Sequence, residues 1–191
     1  GGLTGYVSGW DGLNLAGLDS SGNVVIYWWA PGMEFIFGRD TWVAINMTEA
    51  LNGPRFVGQL DAYVTPWGGL NVAGRTADGQ VYTYWWSPQL QAENLAAGRP
   101  DMWEIANITA AAEGPNVADG VEVAVSTDGG INIFAIDEFD EVVLFRWVPG
   151  GLWKSIEVTF RADGPRMSLP LAAASVGRTL LLAGRSIEDD G

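Results

Sequence analysis

The residues best suited to ligand binding in this sequence are tryptophans that recur at a fixed spacing. Trp28 and Trp85 lie 57 residues apart, and the third copy of this position carries Arg146. A position that accepts both Trp and Arg is expected to reach a strand edge or solvent. An exposed indole ring is a stacking surface for sugars or an anchor for a protein partner. All three residues are therefore candidates for binding, although packing in the interior is the commoner role of a large aromatic side chain.

A second recurring position carries an amide side chain and is occupied by Asn14, Asn71 and Asn132. These amides could form a ring that lines a central channel and binds a ligand. The simpler interpretation, which we favour, is that each amide hydrogen-bonds to backbone within its own repeat, because buried polar groups are usually satisfied in this way.

A third position carries Trp29, Trp86 and Trp147 in the three copies. Because all three copies retain Trp, we expect these rings to form the core between repeats. Trp85 is then expected to be more exposed than its neighbour Trp86.

Acidic residues cluster in several turns, and the oxygen atoms of such turns can bind Ca²⁺. The candidate calcium ligands are Asp19, Asp137 and Asp140, and a further acidic cluster spans 188–190. None of these clusters has the spacing of an EF-hand loop, so solvated turns closed by Asx hydrogen bonds are the preferred interpretation. We expect no cofactor, with Ca²⁺ as the alternative.

The sequence contains no recognisable catalytic motif. It has no His and no Cys, which removes the commonest general base and any thiolate nucleophile. There is no Gly-x-Ser-x-Gly motif and no P-loop. We therefore predict a protein that is not an enzyme, with a carboxylate-dependent hydrolase left open.

Composition restricts the class of partner. The 191 residues are 48% hydrophobic, and their net charge is −13. This charge disfavours nucleic acids and anionic lipids, and favours cations or a basic partner. The longest apolar stretch, 169–184, is interrupted by Pro170 and Arg178, so no membrane span is predicted.

The elements that must position these side chains follow from an internal repeat. Segment 12–17 returns at 69–74, segment 27–31 returns at 84–88, and altered third copies occur at 130–133 and 145–149. Each copy contains four short apolar runs bounded by Gly, Asp, Asn and Pro, which predicts four antiparallel strands. The best helical candidate, 106–113, is interpreted as a strand end that leads into a turn.

A repeat of this length, with four strands per copy, is typical of β-propeller blades. Adjacent tryptophans such as Trp28 and Trp29 support this interpretation, because both faces of a blade are packed. We predict an all-β fold of four-stranded antiparallel blades, about three and a half of them in this chain. Their expected ranges are 3–56, 57–116, 117–166 and a partial blade at 167–191.

The repeat unit resembles a β-propeller blade and is similar to lectin-type propellers, although it lacks the Gly-His and Trp-Asp signature of WD40 repeats. In the lectin-type propellers, aromatic residues from adjacent blades form sugar pockets. The loop after the third strand has 10, 14 and 3 residues in the three copies. Length variation at one loop position predicts that all three loops lie on one recognition face.

Two functions are consistent with these features. The leading hypothesis is a non-catalytic binding or assembly module that recognises a protein partner through this loop face. The alternative is a carbohydrate-binding propeller that uses Trp28 and Trp85. Both predict an extracellular, cell-surface or periplasmic protein. Because three and a half blades cannot close a ring, we also expect further chain or a partner subunit to complete the structure.

Overall fold

The computed structural model describes residues 2–99 and 103–187 and contains three four-stranded sheets and one two-stranded sheet. Blade 1 comprises β1 (Leu3–Val7), β2 (Leu13–Leu18), β3 (Val24–Trp29) and β4 (Val43–Asn46). Blade 2 comprises β5 (Val57–Val64), β6 (Leu70–Arg75), β7 (Val81–Trp86) and β8 (Glu104–Asn107). Blade 3 comprises β9 (Val117–Val125), β10 (Ile131–Asp137), β11 (Val142–Trp147) and β12 (Lys154–Glu157), and the fourth sheet contains β13 (Met167–Val176) and β14 (Thr179–Ser186).

Every sheet is an antiparallel meander in which strands pair in chain order. The register places Asn14 opposite Trp28, Asn71 opposite Trp85, and Asn132 opposite Arg146. The prediction of propeller-type repeats with four-stranded antiparallel blades is confirmed. The precise blade boundaries stay predictions, and the acidic cluster at 188–190 lies outside the described residues.

Within the described residues, five short helices interrupt the strands: α1 (Met33–Phe37), α2 (Met47–Ala50), α3 (Pro88–Ala96), α4 (Ile108–Ala111) and α5 (Val158–Ala162). Helices α1 and α3 occupy the two longer of the three variable loops. Helices α2, α4 and α5 are single turns that follow the fourth strand of each blade, so segment 106–113 is a strand end followed by a helical turn. None of the helices in the described ranges has the length and hydropathy needed to cross a bilayer.

The Asn-x-Thr segments at the end of blades 1 and 2 have a structural role. The Asn46 side chain accepts a hydrogen bond from the Glu49 amide at 3.1 Å, and Asn107 accepts one from Ala110 at 2.9 Å. Both asparagines therefore cap the helical turn that follows them.

The threonines of the same turns close each blade. The hydroxyls of Thr48, Thr109 and Thr159 accept hydrogen bonds at 2.8–2.9 Å from the amides of Val24, Val81 and Val142, respectively. Each of these amides begins the third strand of its blade, and all three threonines are buried. The repeat thus satisfies the same backbone donor with the same side chain three times.

Side chains also connect the first strands of adjacent blades. The Thr4 hydroxyl accepts a hydrogen bond from the Ala62 amide at 3.3 Å, and the Asp61 carboxylate accepts one from Val123 at 2.9 Å. Glu122, the next member of this series, is hydrogen-bonded by the Ala173 amide. Burial raises the pKa of Glu122 to about 7, and the nearby Asp61 carboxylate contributes to the shift.

The core lies between the sheets rather than within one layer. Phe56, at the end of blade 1, is fully buried and packs on Tyr84 of blade 2, with ring centroids 5.4 Å apart. The Tyr84 hydroxyl donates a hydrogen bond to the Pro54 carbonyl at 2.7 Å. Gly74 is required at this contact, because a Cβ there would overlap the Phe56 ring.

Blade 1 exposes side chains on a face that is buried in blade 2. Leu15 is 39% exposed, whereas Val72 at the equivalent position of blade 2 is fully buried. Tyr27 is 47% exposed, whereas the equivalent Tyr84 is fully buried. The exposed face of β2 and β3 is therefore the counterpart of an established interface between blades.

Candidate functional site

Two cavities that are lined by equivalent positions of the repeat lie at the two boundaries between complete blades. The first pocket, between blades 1 and 2, has a volume of about 450 Å³, and the second pocket, between blades 2 and 3, about 540 Å³. Five tryptophans line the first pocket: Trp10, Trp28, Trp29, Trp86 and Trp103. Five also line the second: Trp67, Trp85, Trp86, Trp147 and Trp153.

The two pockets are related by the sequence repeat. The first blade of each pair contributes the position of Trp10 or Trp67, together with Asn14 or Asn71. The following blade contributes Trp86 to the first pocket and Trp147 to the second. Each pocket therefore needs residues from two blades.

Trp86, the last residue of β7, lines both pockets. Its equivalent in blade 3, Trp147, packs edge to face on Trp67, with ring centroids 5.7 Å apart. Trp86 and Trp147 are both half-buried and line a cavity, and Trp147 also packs against the buried cluster formed by blades 2 and 3. The prediction that these rings form the core between repeats therefore stays a prediction. Trp29 is likewise half-buried and lines the first pocket.

Trp28 and Trp85 are placed in the first and second pockets, respectively, and both are half-buried. The prediction that Trp85 is more exposed than Trp86 is not confirmed, because both rings are half-buried. The register explains why these rings and the amides come together: Trp28 lies directly opposite Asn14, and Trp85 directly opposite Asn71.

The recurring amides are buried and bind backbone in their own blade. Asn14 donates a hydrogen bond to the Gly12 carbonyl at 3.3 Å, and Asn71 donates one to the Tyr63 carbonyl at 3.4 Å. Asn132 donates to the Ala124 carbonyl at 3.0 Å. Asn14 and Asn71 also line the pockets, so these two amides combine a backbone contact with a place beside the cavity.

The third boundary, after blade 3, has different chemistry. Asp128 stands where Trp10 and Trp67 stand in the earlier copies, and its carboxylate forms an ion pair with Arg178 at 3.3 Å. A hydrogen bond from the Ser126 hydroxyl to Asp128, at 2.6 Å, contributes most to lowering the pKa of this carboxyl. Arg146, half-buried, replaces the Trp of the earlier copies. Two of the aromatic positions that line the other pockets are therefore charged at this boundary, whereas Trp147 is retained.

Helix α3 brings side chains to both pockets. Ser87 caps the helix by accepting a hydrogen bond from the Leu90 amide at 3.1 Å, and Leu90 is buried. The helix then directs Gln91 to the first pocket, and Gln89 and Glu93 to the second. The variable loop of blade 2 thus forms part of the rim of both cavities, as expected for a recognition face.

The carboxylates of two acidic turns are hydrogen-bonded to backbone amides of the same turn. The Asp19 carboxylate accepts hydrogen bonds from the Ser21 and Asn23 amides at 2.8 and 2.9 Å, and Asp137 accepts them from Phe139 and Glu141 at the same distances. The described residues contain no group of three or more His, Cys, Asp or Glu placed to hold a metal. The calcium candidates Asp19, Asp137 and Asp140 therefore stay predictions.

Sequence comparisons found no matching family model and no matching curated protein. Comparison of structures found similar folds in proteins described as lectins. A fucose lectin from Kordia zhangzhouensis, solved with methyl-fucoside, is 15% identical, with a TM-score of 0.50, and the alignment covers 81% of this chain and 97% of the lectin. The fucose-specific lectin from Aleuria aurantia is 13% identical, with a TM-score of 0.60, and the alignment covers 96% of this chain and 53% of the lectin.

A second structure of the Aleuria aurantia lectin, described as a six-bladed β-propeller, is 12% identical with a TM-score of 0.56, covering 94% of this chain and 52% of the lectin. The chain thus spans about half the length of the Aleuria lectin and nearly all of the Kordia lectin. At these identities the likeness establishes the fold alone. The chain is therefore a β-propeller repeat protein whose described blades enclose two equivalent aromatic pockets.

Proposed function

We propose that the protein binds carbohydrate in the first and second pockets. The observation that carries this proposal is the repetition of one cavity, walled by five tryptophans, at two successive blade boundaries. A pyranose ring presents an apolar C–H face that packs on an indole ring, and a few polar groups then fix its orientation. The amides of Asn14 and Asn71 lie beside the rings and can supply such groups.

The lectins with a similar fold support a sugar as the class of ligand, because one was solved with methyl-fucoside and another is described as fucose-specific. The particular sugar does not carry over from proteins that are 12–15% identical. The earlier leading hypothesis, recognition of a protein partner through the loop face, has less support than this alternative. An extracellular, cell-surface or periplasmic location suits a sugar-binding protein and stays a prediction.

The linings of the two pockets favour binding over hydrolysis. Glycoside hydrolysis ordinarily uses a pair of carboxylates about 5–10 Å apart. Glu93 is the one carboxylate among the described residues that line either pocket. We therefore propose a binding protein that leaves its ligand unchanged.

The test is a glycan array followed by titration calorimetry on the soluble hits. We expect binding that weakens by at least tenfold when Trp28→Ala and Trp85→Ala are combined, because each substitution removes a stacking surface from one pocket. Trp42→Ala is the matched control, since Trp42 is 46% exposed and lines neither pocket. Sugar binding that the double variant retains in full would refute the proposal.

A further inference from the structure

The two pockets differ in the polarity of the side chains that line them. Ile26, Ile45 and Met47 line the first pocket, whereas the repeat places Thr83, Ala106 and Ile108 at the same positions of the second. The second pocket is also lined by Tyr63. With Thr65, Thr83 and Ser87, four hydroxyl-bearing residues line this larger cavity, whereas none of the described residues that line the first pocket carries a hydroxyl.

The pockets differ more strongly in charge at the rim. Gln91 reaches the first pocket and Glu93 the second, both from helix α3. Glu93 is the only charged side chain among the described residues that line either cavity. Its carboxylate accepts a hydrogen bond from the Gln89 side chain at 2.9 Å, which holds it on the rim.

A carboxylate beside several indole rings is a suitable environment for an ammonium group. The faces of Trp rings attract cations, and the attraction increases when the cation is desolvated. A carboxylate at the same site adds a charge-assisted hydrogen bond. The net charge of −13 further raises the local concentration of cations around the protein.

We propose that the second pocket prefers sugars that carry a protonated amine, whereas the first pocket makes no such distinction. This inference rests on the proposed function, because it takes both pockets to be sugar sites. Glu93 is the residue that sets the preference: it contacts the ammonium group while the indole rings pack on the sugar. Gln91 at the rim of the first pocket is neutral and provides no equivalent charge.

The experiment measures each pocket by itself with titration calorimetry. Trp28→Ala disables the first pocket and leaves the second intact, and Trp85→Ala does the reverse. The probes are glucosamine, N-acetylglucosamine and choline chloride, at low ionic strength. In the Trp28→Ala protein we expect glucosamine to bind about tenfold more tightly than N-acetylglucosamine. This ratio is the effect expected of one cation–π contact that is strengthened by a nearby carboxylate.

Glu93→Gln, which keeps the shape of the side chain, is expected to bring that ratio close to one in the Trp28→Ala background. Gln91→Glu in the Trp85→Ala background is expected to create the preference in the first pocket. Equal affinities for the two sugars in the Trp28→Ala protein, or a ratio that Glu93→Gln leaves unchanged, would overturn the inference.

The remaining outcomes separate this inference from the proposed function. Choline that binds as tightly as glucosamine would show that the sugar ring contributes nothing, which overturns the assignment to amino sugars. Binding of both sugars without a preference would refute the role of Glu93 and leave carbohydrate binding standing. Failure of every sugar to bind either pocket would refute the proposed function itself.

Discussion

Trp10 of blade 1 and Trp86 of blade 2 meet edge to face across the blade boundary, with ring centroids 5.5 Å apart and an angle of 78° between the ring planes. The same contact recurs between Trp67 and Trp147 at the next boundary. Edge-to-face packing of this kind contributes about 0.5–1.5 kcal/mol beyond the area that it buries. The pair therefore joins neighbouring blades and forms one wall of a pocket.

Truncation of the shared ring is expected to affect both pockets at once. We predict two ligand equivalents per wild-type chain by calorimetry, one after Trp28→Ala or Trp85→Ala, and none after Trp86→Ala. Because Trp86 is half-buried, its loss is expected to destabilise the fold by about 1–3 kcal/mol, less than for a fully buried aromatic ring. Trp86→Ala protein that is folded by circular dichroism and still binds two equivalents would contradict this assignment.

The buried threonines that close each blade are expected to matter for stability. Thr109→Val keeps the size of the side chain but leaves the buried Val81 amide without its acceptor, which is expected to cost about 1–3 kcal/mol. Urea unfolding followed by tryptophan fluorescence measures this loss. Thr127→Val is the control, because Thr127 is exposed. A loss that is no larger for Thr109→Val than for the control would show that the hydrogen bond makes no net contribution.

Glu122 is expected to make stability depend on pH. Burial raises its pKa from an ordinary 4.5 to about 7, so the folded protein holds this proton more tightly than the unfolded chain does. The contribution of Glu122 is therefore fully present below about pH 4.5 and is lost as the pH rises through 7. Burial also raises the pKa of the neighbouring Asp61, which acts in the same direction.

Glu122→Gln mimics the neutral carboxyl and is expected to flatten this profile. The chain has no His and no Cys, so few other groups titrate between pH 5 and 8. Melting temperatures at pH 5 and pH 8 should differ more for the wild type than for Glu122→Gln, with the wild type less stable at pH 8. Parallel profiles for the two proteins would rule out Glu122 as the source.

The exposed face of blade 1 is expected to be covered by a second copy of the chain in solution. Leu15 and Tyr27 occupy positions that are fully buried against another blade in blade 2. We predict a mass above the 20.5 kDa of one chain by light scattering, and dissociation after Leu15→Asp. Leu95→Asp is the control, because Leu95 is 64% exposed and lies on helix α3. A wild-type protein that stays monomeric at high concentration would contradict this prediction.

The repeat made the strands predictable because their signals are local. Apolar runs bounded by Gly, Asp and Asn locate the strands and turns, and each sheet follows in chain order. The segment after Asn107 was the best helical candidate but was interpreted as a strand end and turn, and the helical turn after Asn46 was not foreseen. One turn of helix is too short to show a 3.6-residue period. The Asn-x-Thr spacing could have indicated them, since Asn is a preferred N-cap residue.

The pockets were only partly predictable. Trp28 and Trp85 were identified as candidates because Arg146 replaces them in the third copy. Trp86 and Trp147 were assigned to the core because all three copies retain Trp at this position. Such retention is equally consistent with a ring that lines a cavity between blades. The distance between adjacent blades decides whether such a ring is packed or lines a cavity. That distance depends on contacts between blades, which the sequence of one repeat does not reveal.

Because each pocket is formed by two blades, the number of blades determines the number of pockets and therefore the avidity for a multivalent ligand. An open row of blades has one pocket fewer than it has blades, whereas a closed ring has as many pockets as blades. If the pockets bind sugar as proposed, each added blade adds one binding site without altering any existing side chain. Each additional site then raises the effective concentration for ligands that are clustered on a surface. At the third boundary Asp128 and Arg146 replace two of the recurring tryptophans, so we expect this boundary to contribute no equivalent site while the blade scaffold is preserved.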